Sequence, residues 1–173
     1  SSRKAVQAAL MMAETFPHID FRREVTIGHL MLDINSPAAE LAKVNPPIRP
    51  RSDVEFLWDA LLAGELDWVC SDHACCRQET KIPKHYFGNI WMAKSGFGGT
   101  EYLLPALVSE GTRRGMSYNH MARVTAWNPA QRFGLNRKGD LAVGFDADIA
   151  LVDPARSWVV AAKDSPSTQG YTP

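Results

Sequence analysis

Between Trp68 and Cys76, in the stretch WVCSDHACC, fall all three cysteines of the chain, one of its five histidines and one aspartate. Such residues could bind a soft metal, form a disulfide or seat a single catalytic acid. A closed structural zinc site needs four ligands, commonly from two paired hooks. Cys70, His73, Cys75 and Cys76 offer donor atoms, but adjacent Cys75 and Cys76 rarely converge on one ion, and no second hook lies elsewhere. A Cys75–Cys76 disulfide would be strained, so the cysteines read best as small packing residues. Asp72 is the remaining candidate. At the end of a strand, side-chain alternation puts Trp68, Cys70 and Asp72 on one face. An acid at the C-terminal tip of a parallel barrel strand stands where such folds place their chemistry. The residues alone leave Asp72 open between that role and a turn or cap.

The elements that must position it follow from periodicity. Ser2 can cap a helix running to about Thr15, with Val6, Leu10 and Ala13 on one stripe. FRREVTI (Phe21–Ile27) is a strand candidate. SDVEFLWDALLAG is the clearest helix. Ser52 and Glu55 suggest a capping box, Val54, Leu57, Trp58, Leu61 and Leu62 an apolar face, and Gly64 a left-handed exit. LDWVCS is a short apolar strand ending at Asp72. Thr100 opens another helix with Pro105 in or near its first turn, Ser117 begins a further one, and Asn128-Pro129 caps a short one. From Gly139 the pattern becomes short strands, GDLAVGFDADIALVDP and SWVVAA, and DSPSTQGYTP reads as loop. Strand–helix–strand–helix order predicts a parallel α/β architecture followed by a small β element.

A length of 173 residues fits about one domain. Nineteen basic residues balance nineteen acidic ones, so no global charge recruits nucleic acid or an anionic membrane. No apolar run approaches the ~20 residues of a membrane span. The opening SSRKAVQAALMM lacks a small-residue cleavage site and reads as an amphipathic helix rather than a signal peptide. An odd, clustered set of cysteines is not a secreted disulfide framework, which makes a reducing cytoplasm the expected setting.

KVNPPIRPRSDVEFLWDALLAGELDWVCSDHA resembles the stretch running into the last barrel strand of the cyclic amidohydrolases, the group of dihydroorotase, hydantoinase (dihydropyrimidinase) and allantoinase. GFGGTEYLLPALVSEG, WNPAQRFGL and KGDLAVGFDADIALVDP match the following segments in order, so the resemblance covers nearly the whole chain. It implies an α/β fold: the C-terminal part of a (β/α)8 TIM-like barrel over residues 1–138, with its last two strands and their helices. The start of a small β-sandwich would follow over 139–173.

The resemblance further implies zinc-dependent hydrolysis of a cyclic amide, dihydroorotase-like, from dihydroorotate to carbamoyl aspartate. Its two zinc ions are held by a His-x-His pair, a carboxylated lysine, two further histidines and one aspartate. That aspartate matches Asp72, which would bind one metal and carry a proton from the attacking hydroxide to the departing amide nitrogen. Asn45 matches the Asn of NPP that contacts the pyrimidine ring; the alternative is a turn-former before two prolines. Ser95 and Gly96 match a loop whose backbone contacts substrate, glycine permitting the approach. His29 matches a histidine near the pocket, with a packed strand-end histidine as the alternative to a ligand.

Cys76 stands where dihydroorotases carry a histidine that helps hold the substrate carboxylate, and a thiol is a weak donor. Asn45 therefore points to dihydroorotase and Cys76 away from strict dihydroorotate specificity, leaving hydantoinase or allantoinase activity open. A non-catalytic scaffold relative is the reading from another class, against which the intact Asp72 argues. SSRKAVQ resembles what directly follows the family's final metal-binding histidine, and a full barrel takes about 250 residues. The expectation is a C-terminal fragment supplying one metal ligand, inactive alone. It would take a small cyclic amide as partner, not nucleic acid or membrane. Exposed strand edges and apolar faces would drive pairing with itself or with a missing N-terminal part.

Overall fold

A computed structural model describes residues Ser1–Pro173. Helix α1 (Arg3–Thr15) starts where expected, because Ser2 is extended and its Oγ accepts the Ala5 N–H at 3.3 Å. Strand β1 (Glu24–Thr26) runs directly into the short helix α2 (Ile27–Met31), which Thr26 caps by accepting the His29 N–H at 3.2 Å. Helix α3 (Arg51–Leu62), strand β2 (Trp68–Cys70) and helix α4 (Gln78–Lys81) follow. Helices α5 (Leu103–Arg113), α6 (Tyr118–Ala122) and α7 (Asn128–Arg132) complete the α-helices, with short 3₁₀ turns elsewhere along the chain. The two strands pair parallel in the register Glu24–Trp68, Val25–Val69 and Thr26–Cys70. Parallel pairing needs a crossover connection, which α2 and α3 provide. The expected strand–helix–strand–helix order is present, with each strand only 3 residues long.

Burial explains why these elements meet. Val54, Leu57, Trp58 and Leu61 fall at helical spacing on α3 and join Val25, Val69, Leu30, Leu107, Met121 and Val124 in one buried cluster. Trp58 is wholly buried, and its indole N–H donates to Leu30 O at 2.8 Å, which ties α3 to α2 and leaves no polar atom orphaned. Gly64 takes the left-handed exit with φ +76.

Four expectations are corrected. Helix α3 begins at Arg51 after an extended Pro50 with no side-chain cap, so the Ser52–Glu55 capping box is not formed. Glu55 is instead held by Arg114 at 2.5 and 3.0 Å, a two-bond grip on the guanidinium, and by Arg51 at 2.5 Å, against the one bond a capping box would give its side chain. Thr100 opens a 3₁₀ turn to Tyr102, and α5 begins only at Leu103, with Pro105 in its first turn. Asn128 does not cap: α6, begun by Ser117 as expected, continues through a π turn over Arg123–Trp127 into α7. The Asn128 amide donates to Asp67 O at 2.6 Å, just ahead of β2. Lastly, the strands expected in GDLAVGFDADIALVDP and SWVVAA are not formed, and the sheet consists of β1 and β2. A strand exists only where a neighbour takes its N–H and C=O groups, and these segments form no ladder. Much of their apolar surface stays in solvent, with Leu151 at 94% and Val159 at 87% exposure. No helix is long and apolar enough to cross a membrane.

Candidate active site

Strand β2 ends at Cys70 and the chain turns sharply, with Asp72 at φ +48. The left-handed region costs a residue with a side chain roughly 1–2 kcal/mol, and aspartate tolerates it better than most. Strand alternation therefore stops before Asp72, and the face expected to carry Trp68, Cys70 and Asp72 ends at Cys70. Trp68 is buried and donates to Glu24 Oε2 at 2.6 Å, Cys70 is half-buried, and Asp72 is exposed. Burial, with the Glu24 carboxylate close by, pushes the Cys70 thiol up to about 12, so at neutral pH it stays a thiol and a poor nucleophile. All three cysteines are free, and no trio of His, Cys, Asp or Glu side chains is gathered to hold a metal ion. The Cys/His knot weighed from the sequence is thus not assembled.

Beyond the turn, the Asp72–Cys76 loop is joined to the loop of Ser95 and Gly96. Ala74 N donates to Phe97 O at 3.1 Å. His73 Nδ1 accepts the amides of Gly99 at 3.1 Å and Thr100 at 3.2 Å, which places the proton of its neutral ring on Nε2. Gly96 is required here twice over: its φ is +91, and a Cβ would come within 2.6 Å of Ala74 Cβ. The close approach this glycine allows is thus to Ala74, not first to a substrate. Ser95 beside it is exposed.

A third loop carries Asn45, which is exposed and joined to Pro46 by a cis peptide. Pro46 O meets His29 Nε2 at 2.9 Å. A carbonyl only accepts, so Nε2 bears the proton and Nδ1 accepts the Thr26 hydroxyl at 2.6 Å. Burial holds the His29 pKa below its ordinary value, consistent with this neutral tautomer. Both ring nitrogens are used, which makes His29 a packed strand-end histidine and not a ligand.

Lys81, at the end of α4, links the loops. Its side chain is wholly buried, and Nζ donates to Lys43 O at 2.7 Å and Gly96 O at 2.6 Å. Gly96 N in turn donates to Lys43 O at 2.9 Å. Burial pulls the Lys81 amine down to about 8. The half-buried Cys76 is close enough to both this amine and Tyr171 to act on them electrostatically. Tyr171 belongs to a tail that crosses the same loop. Gln169 O accepts from Gln78 N at 3.0 Å, Gln169 Oε1 accepts from Gly98 N at 2.9 Å, and the Ser167 hydroxyl meets Cys75 Sγ at 3.2 Å.

The segments bearing Asn45, Asp72, Cys76, Ser95 and Gly96 are therefore bonded into one assembly at the C-terminal end of β2. Lys81 and Gln169, which hold it together, escaped the sequence reading: a lone lysine in QETKIP and a glutamine in STQG carry no spacing that marks them. Chemically, the arrangement presents one exposed carboxylate on a fixed turn, beside loops whose backbone is already ordered.

The pattern of the amidohydrolase family matches residues 6–171. The chain is 39% identical over 143 residues to an allantoinase of Rubrobacter xylanophilus, a match covering 80% of this chain and 31% of that protein. It is also 39% identical over 152 residues to a dihydroorotase of Halobacterium salinarum, covering 87% of this chain and 35% of the relative. A D-hydantoinase (dihydropyrimidinase) structure from Thermus sp. superposes with a TM-score of 0.83 at 28% identity, over 98% of this chain and 37% of its own. The chain spans about a third of the length of these relatives. With the match running from α1 through the docked tail, the chain belongs to the amidohydrolase family, within its cyclic amidohydrolase group.

Proposed function

We propose that this chain forms the last two strands and helices of a (β/α)8 barrel and supplies the proton-carrying acid of a dihydroorotase-like hydrolase that opens a cyclic amide. The observation that carries this reading is Asp72, an exposed carboxylate set on a left-handed turn at the C-terminal tip of a parallel strand. In that role it takes the proton of the attacking water and returns it to the departing ring nitrogen, so the C–N bond breaks to a neutral ureido NH2 and a carboxylate instead of a nitrogen anion. Asn45 and the backbone at Ser95–Gly96 orient the ring, supported by the bonds that join their loops.

The donors of these residues do not by themselves make a metal site. His29 has both ring nitrogens engaged, His73 Nδ1 is taken by two amides, and no trio of His, Cys, Asp or Glu side chains converges around Asp72. The two zinc ions that the resemblance implies would take their other ligands from outside these residues; such ions, when bound, supply Lewis acidity and a more acidic water. Metal analysis of the isolated 173-residue chain is expected to find no tightly bound zinc pair. Two retained zinc ions would contradict this account.

Turnover in a protein of the relatives' full length tests the substrate. Hydrolysis of dihydroorotate supports the first reading, and failure to open any cyclic amide rejects it. Cys76 favours a second reading, because a thiol cannot give a substrate carboxylate the charge-assisted bond that a histidine gives. Preference for hydantoin, dihydrouracil or allantoin over dihydroorotate would identify a hydantoinase or allantoinase.

A further inference from the structure

Lysine is almost never fully buried unless paired with an opposite charge. Lys81 is 0% exposed, yet its ammonium bonds no carboxylate; its partners are the carbonyls of Lys43 and Gly96. Burying a charge this way is costly, and a methionine would fill the same space without the penalty. What a lysine adds is several donors on a long stem, able to reach two loops at once. The two carbonyls it joins belong to the loops of Asn45 and of Ser95–Gly96, and a direct bond from Gly96 N to Lys43 O closes the ring. Its own backbone does more of the same work: Lys81 O accepts Lys94 N at 2.8 Å, at the start of the Ser95–Gly96 loop. Helix α4 also follows directly from the Asp72–Cys76 loop, so one residue is tied to all three segments. Loops without ladder or helical bonds owe their relative positions to bonds of this kind.

We propose that Lys81 is a positioning residue, which fixes the spacing between the Asn45 and Ser95–Gly96 loops and so shapes the substrate rim beside Asp72. This rests on the cyclic-amide reading above. Being enclosed, Lys81 acts on a substrate only through those loops.

Lys81→Met removes the donors and keeps the bulk, while Lys81→Gln keeps a shorter donor. In hydrogen–deuterium exchange of the 173-residue chain, Lys81→Met is expected to speed exchange at Lys94 and Gly96, whose amides bond Lys81 O and Lys43 O. The rise should be about tenfold, with α3 and the two strands staying within about twofold of the parent. In a protein of the relatives' full length, KM for the cyclic amide should rise about tenfold with kcat within about threefold. Lys81→Gln should fall between the parent and Lys81→Met in both assays. A merely structural role would instead lower active enzyme, reducing kcat at unchanged KM. Unchanged exchange at Gly96, a uniform rise that includes α3, or faster local exchange at unchanged KM would each overturn the proposal. Should Lys81→Met fail to fold, Lys81→Gln decides on the same readouts. If the parent opens no cyclic amide, the functional reading fails on its own, and the exchange data still decide whether Lys81 holds the two loops together.

Discussion

A carboxylate held at positive φ limits what can replace it. Asparagine enters the left-handed region about as readily as aspartate, whereas alanine pays roughly 1–2 kcal/mol there. Asp72→Asn is therefore expected to keep the melting temperature while lowering kcat by about 10²–10⁴-fold, the usual contribution of a general acid–base group. Asp72→Ala should lose both activity and stability. Thermal scans read beside kinetics separate the two effects, and Asp72→Asn with full turnover would remove the acid from the mechanism. The sequence made Asp72 legible through the SDHA stretch and its neighbours, but not the way it points. Strand alternation holds only while the backbone stays extended, and the turn at φ +48 ends that rule just before the residue of interest. Lys81 was illegible for another reason: burial of a charged residue between two loops depends on tertiary contacts that no local pattern records.

At the scale of elements, periodicity succeeded where one face is buried and failed where a side chain had a choice of partners. The apolar face of α3 lies where spacing put it, but Glu55 left its capping role for Arg114. That arginine bonds Glu55 and Glu110 and lies over the Trp58 ring at 5.0 Å, so it joins α3 to α5. Arg114→Met is expected to cost about 1–3 kcal/mol in urea unfolding, from the lost charge-assisted bonds and ring contact. The same cluster sets an acid dependence. Arg113 and then Arg114 hold the Glu110 carboxyl down at about 2, below its ordinary 4.5. Its folded value is depressed, so its contribution is complete above about pH 4.5 and is lost as pH falls toward 2. Stability measured across that window should fall less steeply for Arg114→Met than for the parent. The segments after Gly139 show the opposite limit of pattern reading. Alternation tells which side of a strand seeks cover, but not whether a partner strand is within reach.

For the whole molecule, local order was legible and closure was not. The parallel pair and its crossover follow from contiguous residues, whereas a barrel depends on strands beyond β1 and β2. Each of these two strands keeps one edge without a strand neighbour, and Leu141, Leu151 and Val159 stand in solvent. Open edges and apolar segments of this kind drive association. Sedimentation of the chain is expected to show a coefficient that rises with concentration, reduced by Leu151→Glu with Val159→Glu. A concentration-independent monomer would count against it.

The crossing tail has one more consequence. Residues 141–160 are mostly exposed, while Gln169 and Tyr171 are buried against the loop that follows Asp72. The tail is in effect a peptide ligand on a tether, held at an effective concentration on the order of millimolar. A protease that nicks the tether would turn this docking into a bimolecular equilibrium. Once the chain was cut, dilution alone would decide whether the rim keeps its cover, and the severed peptide added back would restore it.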